Sequence, residues 1–155
     1  MDKELFSTRV EAMEGTLYGM ARTYLREPAD CADAVQDAAL KAWQSLHSLR
    51  DENRFETWVV RILINECKAI LRKGKRVVLM ADIPDAIAPE GADKALYEAI
   101  FALDIHYRAP FVLFYVEGYS VEEIARMLRL PKGTVTSRLK RAREKVKQIY
   151  GGELF

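Results

Sequence analysis

With 155 residues, half of them apolar and 30% charged, the chain suffices for one domain or two small ones and is too apolar for disorder. Its 24 Lys and Arg against 23 Asp and Glu leave a net charge of +1, so total charge singles out no polyanionic partner. No apolar run is long enough to span a bilayer and Met1-Asp2-Lys3-Glu4-Leu5 lacks the pattern of a secretory leader, which together imply a cytoplasmic protein.

The first predicted helix covers about 3–26, because Phe6, Val10, Met13, Leu17, Met20 and Tyr24 recur at alternating steps of four and three before Pro28 stops it. Asp30 is placed to cap a second helix with Val35, Ala39, Ala42, Leu46 and Leu49 on one face and Trp43 widening it. After the polar interval Ser48 to Asn53, a third helix runs over about 54–73, with Phe55, Trp58, Ile62 and Leu71 apolar and Gly74 ending it. Cys31 and Cys67 are the only cysteines, far apart and without clustered histidines, so they read as reduced, buried core residues and zinc is not expected. His47 and His106 stand alone and read as structural or exposed.

Charge is segregated along the chain. Between Arg61 and Arg76 the positives are Arg61, Lys68, Arg72, Lys73, Lys75 and Arg76 against Glu66 alone. Between Asp82 and Glu98 the negatives are Asp82, Asp85, Glu90, Asp93 and Glu98 against Lys94 alone. Residues 77–92, with Pro84, Pro89 and Gly91 and no helical period, read as a flexible linker. Helical segments follow at 93–103 and 107–117, the aromatic run Tyr107 to Tyr119 supplying a second core. No run of alternating β-branched residues calls for a sheet. The expected class is all-α: a helical domain over 1–76, a linker over 77–92, and a second helical domain over 93–150 ending in a helix-turn-helix.

That helix pair carries the clearest chemical signal. Ser120-Val121-Glu122-Glu123 is a capping-box pattern, and Val121, Ile124, Ala125 and Leu128 form one apolar face. Pro131 and Gly133 mark the break. The next helix has a seam of Val135, Leu139, Ala142, Val146 and Ile149. Off that seam lie Thr136, Ser137, Arg138, Lys140, Arg141, Arg143, Lys145 and Lys147, opposed only by Glu144. A cationic helix face gains free energy on DNA by releasing condensed counterions, and Thr, Ser and Arg near its start can reach base edges.

Two blocks resemble the extracytoplasmic-function (ECF) sigma factors, compact bacterial transcription initiation factors of the sigma-70 family. Asp33 to Trp43, Phe55 to Cys67 and Leu71-Arg72-Lys73 are similar to sigma region 2. Tyr107-Arg108, Tyr115, Glu117 to Ser120, Glu123-Ile124-Ala125, Pro131 to Leu139 and Arg141-Ala142-Arg143 are similar to region 4. The resemblance implies that Asp33, Gln36, Asp37, Lys41 and Gln44 contact the RNA polymerase core. It implies that Arg61, Asn65, Lys68, Arg72, Lys73, Lys75 and Arg76 meet the melting -10 element, with Ser48 to Asn53 forming a pocket for a flipped base. Lys132, Thr134, Thr136, Ser137, Arg138, Lys140, Arg141 and Arg143 would read the -35 element. The acidic linker would thread a basic channel of the polymerase. With Gly151-Gly152-Glu153-Leu154-Phe155 following the recognition helix directly, control is expected in trans, from an anti-sigma factor that is commonly membrane-bound.

Three departures from the family carry consequences. Ala39 stands where the family often has Phe, which loosens packing around Trp43. Arg129 occupies a turn position that commonly holds Gly, at a cost of about 1 kcal/mol if the backbone is left-handed there. Trp58 is followed by Val59 and Val60, so the paired aromatics that wedge duplexes apart in primary sigma factors are missing, which implies weaker melting and stricter promoter dependence. A stand-alone helix-turn-helix regulator would explain 120–149 but not the first block, and a protein–protein adaptor would need no basic recognition face. A small helical enzyme finds no nucleophile–base pair, phosphate-cradling loop or metal-ligand cluster, so no catalysis, cofactor or small-molecule substrate is expected.

Overall fold

The computed structural model describes residues 1–74 and 93–151, and every regular element in them is helical. The chain divides into two compact units, Met1–Arg76 and Val77–Phe155. Lys75, Arg76 and the predicted linker at 77–92 lie outside the described residues.

The first unit opens with α1 (Lys3–Ala12), capped by the Asp2 carboxylate, which accepts from the Leu5 amide at 2.8 Å. The single helix expected over 3–26 is broken. Met13 flattens to φ −94°, ψ −2°, its amide bonds to the Val10 carbonyl at 3.0 Å, and α2 (Glu14–Tyr24) restarts the helix. Buried Met13 stays on the core side of the break, while Gly15, the poorest helix former nearby, weakens the ladder beside it. Leu25 is extended, and Pro28 opens α3 (Pro28–Gln44) at a position where its missing N–H leaves nothing unbonded.

The face of α3 differs from the expected one. Cys31, Ala34, Ala38 and Ala42 are fully buried, whereas Val35 and Ala39 are half-buried, and Leu46 and Leu49 lie beyond the helix end. Small residues carry little hydrophobic signal, but they let α3 lie close against α4 (Phe55–Gly74), so the helix is rotated toward them. Asp30 sits in the first turn and is not the cap; Glu27 holds that position without a side-chain bond. On α4 the buried residues are Phe55, Thr57, Val59, Val60, Leu63, Ile64 and Cys67. Of the four expected apolar positions only Phe55 is buried; Trp58 and Ile62 are half-covered and Leu71 is exposed.

Aromatic rings close the end of this bundle. Phe6 meets Phe55 edge-on at 5.7 Å and Trp43 at 5.2 Å, so α1 supplies the packing around Trp43 beside the small Ala39. The Arg9 guanidinium lies 4.5 Å over the Phe55 ring and donates to the Glu56 carboxylate at 3.0 Å and the Glu52 carbonyl at 2.9 Å. One side chain of α1 thus holds the turn Glu52–Arg54 that enters α4.

Both cysteines are free and buried, as the sequence implies. Burial, above the smaller influence of Arg22 and Asp30, pushes the Cys31 thiol up to about 11. Burial, with Cys31 and Glu66 adding, pushes Cys67 up to about 12. A raised folded-state value means the unfolded thiols ionise first, so this contribution is present below about pH 9 and is lost as pH rises through 11 to 12. A colorimetric disulfide reagent at pH 8 should therefore react with neither thiol in the native protein and with both in urea.

The second unit contains α5 (Lys94–Phe101) and α6 (Ile105–Phe111), capped by Asp93 and Asp104. The helix expected over 107–117 starts two residues earlier and changes register: Val112–Val116 forms a wider π-type turn. Pro110 lies inside α6, where it has no N–H to give the ladder, and the hydrogen bonding loosens just after it. Arg108 reaches back to the Phe101 and Leu103 carbonyls at 3.2 and 3.4 Å, satisfying the end of α5.

The capping box forms as read. The Ser120 hydroxyl accepts from the Glu123 amide and the Glu123 carboxylate from the Ser120 amide, both at 3.1 Å, opening α7 (Val121–Leu128). Ile124 and Met127 are its buried residues; Val121, Ala125 and Leu128 are only partly covered. Arg129 adopts φ 55°, ψ 51°, the left-handed turn between the helices. Arg129→Gly should stabilise the protein by about 0.5–1 kcal/mol, the relief of strain less the extra chain entropy of glycine. That appears as a melting rise of about 4 °C in calorimetry. Pro131 caps α8 (Lys132–Tyr150), which places Gly133 inside the first turn and not in the break. Val135, Leu139, Ala142 and Val146 form the buried seam, but Ile149 is exposed on the last turn before Gly151 ends the helix.

Candidate nucleic-acid interface

The seam of α8 faces the second unit's core, which turns its cations outward. Thr136, Ser137, Lys140 and Arg141 are exposed, and Thr134, Arg138 and Arg143 are half-buried. Not all are equally available. Lys132 pairs with Glu122 at 2.9 Å across the turn, and that bond holds the Glu122 carboxyl below its usual range. Arg143 donates to the Tyr115 hydroxyl at 3.0 Å, which ties it to the π-type turn. The Thr136 hydroxyl donates to the Lys132 carbonyl at 3.1 Å. Arg138, Lys140, Arg141 and Ser137 remain as the outward-facing group. Arg138 and Arg141 line an open hollow of about 360 Å³ with Tyr107, Gly133, Thr134 and Ser137.

A second cationic surface lies on α4. Arg61, Asn65, Lys68 and Arg72 follow steps of four, three and four, so they form one stripe along the helix. Arg61 is half-buried and the other three are exposed, as is Lys73 beside them. Glu66, the one acid in that stretch, is mostly covered and is bonded by Lys41 of α3, which removes its charge from the stripe. The same contact draws Lys41 toward α4.

On α3 the predicted residues Asp33, Gln36, Asp37 and Gln44 are exposed on the side opposite the alanine face. Leu40, exposed by 55%, stands in the middle of them, with Trp43 exposed by 41% at the edge. Sequence reading placed Leu40 neither on the apolar face of this helix nor among the polymerase contacts, which were chosen as polar residues. Its seven-residue offset from Asp33 was the available signal.

Residues 9–77 match the Sigma-70 region 2 family and residues 93–146 match Sigma-70, region 4. The chain is 32% identical over 155 residues to the ECF RNA polymerase sigma factor SigM of Mycobacterium tuberculosis, covering 97% of this chain and 79% of that one. The chain belongs to the ECF sigma factors. It is 31% identical over 166 residues to the ECF RNA polymerase sigma-E factor of Escherichia coli K12, covering 94% of this chain and 86% of that one. Among solved structures it resembles CnrH bound to the cytosolic domain of CnrY, with a TM-score of 0.76, 26% identity and coverage of 99% and 92%. The fold also matches the sigma factor RpoE of Bartonella quintana, solved with the anti-sigma factor NepR, with a TM-score of 0.84 and coverage of 96% and 98% at 24% identity.

This ECF sigma factor is thus an alternative sigma factor for transcription initiation, and a stand-alone regulator reading leaves the region 2 match without a purpose. The α4 stripe lies within the region 2 match, and both α7 and the outward group of α8 lie within the region 4 match. Among the described residues, no helix is long and apolar enough to cross a membrane. No group of three or more His, Cys, Asp or Glu among them is placed to hold a metal ion.

Proposed function

We propose that this ECF sigma factor binds the RNA polymerase core through the exposed face of α3 and guides it to promoters through two cationic helices. Asp33, Gln36, Asp37 and Gln44 around Leu40 make the polymerase contact. The stripe Arg61, Asn65, Lys68 and Arg72, with Lys73, Lys75 and Arg76, meets the -10 element. The outward face of α8, from Lys132 to Arg143, meets the -35 element. The observation that carries this reading is that each unit has its own cationic helix face with few acids beside it. Glu66 is bonded to Lys41 of α3, away from the α4 stripe, and Glu122 takes up Lys132 alone on α8, leaving Arg138, Lys140 and Arg141 without a paired carboxylate among the described residues.

Physical chemistry explains the two-part design. Each contact alone is weak and salt-sensitive, because its affinity comes largely from counterion release. Joining two such modules raises the effective concentration of the second once the first is bound. The residues present do no bond-making chemistry. Asn65 offers a base-edge donor and acceptor, and the cations hold phosphates. The likeness to sigma factors solved with CnrY or NepR supports an anti-sigma factor as a further partner, covering these surfaces when transcription is not required. Gel filtration with core polymerase tests the first step: the chain should co-elute with core enzyme, and free elution of the folded chain contradicts it.

A further inference from the structure

The hollow beside α8 has one wall that does not belong to the helix-turn-helix. Tyr107 comes from α6, and it lines the hollow together with Gly133, Thr134, Ser137, Arg138 and Arg141. Residues 134, 138, 141 and 145 follow steps of four, three and four on α8, so Tyr107 flanks one continuous stripe. The Lys145 ammonium completes that stripe, 4.5 Å from the centre of the Tyr107 ring.

Charge makes this place unusual. Lys132 is neutralised by Glu122 and Arg143 is engaged by Tyr115. Among the described residues, no carboxylate pairs with Arg138, Arg141 or Lys145. Two guanidinium groups thus line the hollow with Tyr107, and a third cation sits over the tyrosine ring, with no paired carboxylate among the described residues, which favours an anion there. The walls offer guanidinium and hydroxyl donors and no acid. A methyl group at Gly133 would meet nothing within 4 Å, so the hollow is open there.

We propose that this hollow is a phosphodiester notch that takes one backbone phosphate of promoter DNA, with Tyr107 and Arg141 as phosphate ligands and Lys145 fixing the tyrosine ring. The inference rests on the reading of α8 as the DNA-contacting helix and extends the interface to α6. Arginine forks match phosphate oxygens two at a time, and a tyrosine hydroxyl adds a neutral donor whose ring is held in place. A phosphate contact sets register on the duplex and carries no sequence information of its own. Tyr107 therefore tightens binding on every promoter alike.

The test uses the full chain assembled with core polymerase on a promoter duplex obtained by selection with that assembly. Each phosphate of the upstream element is replaced in turn by a neutral methylphosphonate. Tyr107→Phe keeps the ring and its Lys145 contact, and should weaken binding about fivefold on all sequence variants without changing their ranking. Arg141→Gln should weaken it about tenfold and lower the salt slope by about one. One methylphosphonate should weaken the wild type and add nothing in either variant. Wild-type affinity of Tyr107→Phe, or losses that vary with the base pair, overturns the notch. If Arg138→Ala abolishes binding while Tyr107→Phe and Arg141→Gln are neutral at every phosphate, the notch alone fails. If Arg138→Ala changes nothing, the reading of α8 fails and the notch with it.

Discussion

Arg138→Ala combined with Arg141→Ala lowers promoter-directed transcription by about 100-fold or more while core polymerase binding stays at the wild-type level. Each arginine that meets a base edge or a phosphate on DNA is worth about 1–3 kcal/mol. Two together reach about 3 kcal/mol, or two orders of magnitude. The fold tolerates the change, because the buried seam of α8 is Val135, Leu139, Ala142 and Val146 and neither arginine belongs to it. Run-off transcription at a fixed promoter, read beside thermal melting, checks both halves. Lys132→Ala serves as the contrast. Lys132 already pairs with Glu122, so its loss removes a less available charge and should weaken transcription less than either arginine does.

Asp37→Lys combined with Leu40→Asp separates the other function. Both residues are exposed on α3, and Leu40 is exposed by 55%. An apolar side chain in the middle of a polar helix face is the usual form of an interface anchor, and truncating such an anchor costs about 2 kcal/mol or more. A reversed charge beside it adds like-charge repulsion with whatever basic surface receives Asp37. Association with core polymerase should fall by about 100-fold, measured by fluorescence anisotropy. Stability should move by less than about 0.5 kcal/mol, since Ala34 and Ala38 beneath are untouched.

Much of this was readable from the chain, and the misreadings share a cause. Strong local chemistry was legible: the Ser120–Glu123 capping box and four of five seam positions of α8 stand where the spacing put them, and the left-handed backbone at Arg129, raised as a condition by the family resemblance alone, is present. These depend on residues within a turn or two of each other. What the sequence hid was set by packing between helices. The buried face of α3 is built from Cys31, Ala34, Ala38 and Ala42, residues whose hydrophobicity is small and whose value lies in allowing α4 to approach. The break at Met13 and the wide turn after Pro110 are backbone adjustments that leave the apolar period nearly intact, so a period count passes over them.

The interface shows the same division. The cationic stripe Arg61, Asn65, Lys68 and Arg72 follows from helical spacing alone. Which charges are free does not. Lys41 to Glu66, Lys132 to Glu122 and Arg143 to Tyr115 are contacts between elements, and only the fold shows that Arg138, Lys140 and Arg141 are left to face outward. Tyr107 was assigned to the core on composition and instead forms a wall of the hollow beside Arg138 and Arg141.

The most direct test is run-off transcription from a randomised promoter library with core polymerase, with and without the full chain. The account predicts defined start sites that appear only when the chain is present, each preceded by two shared sequence elements at a fixed spacing, and that vanish with Arg138→Ala plus Arg141→Ala. Folded protein that leaves core polymerase without any preferred start site would contradict it.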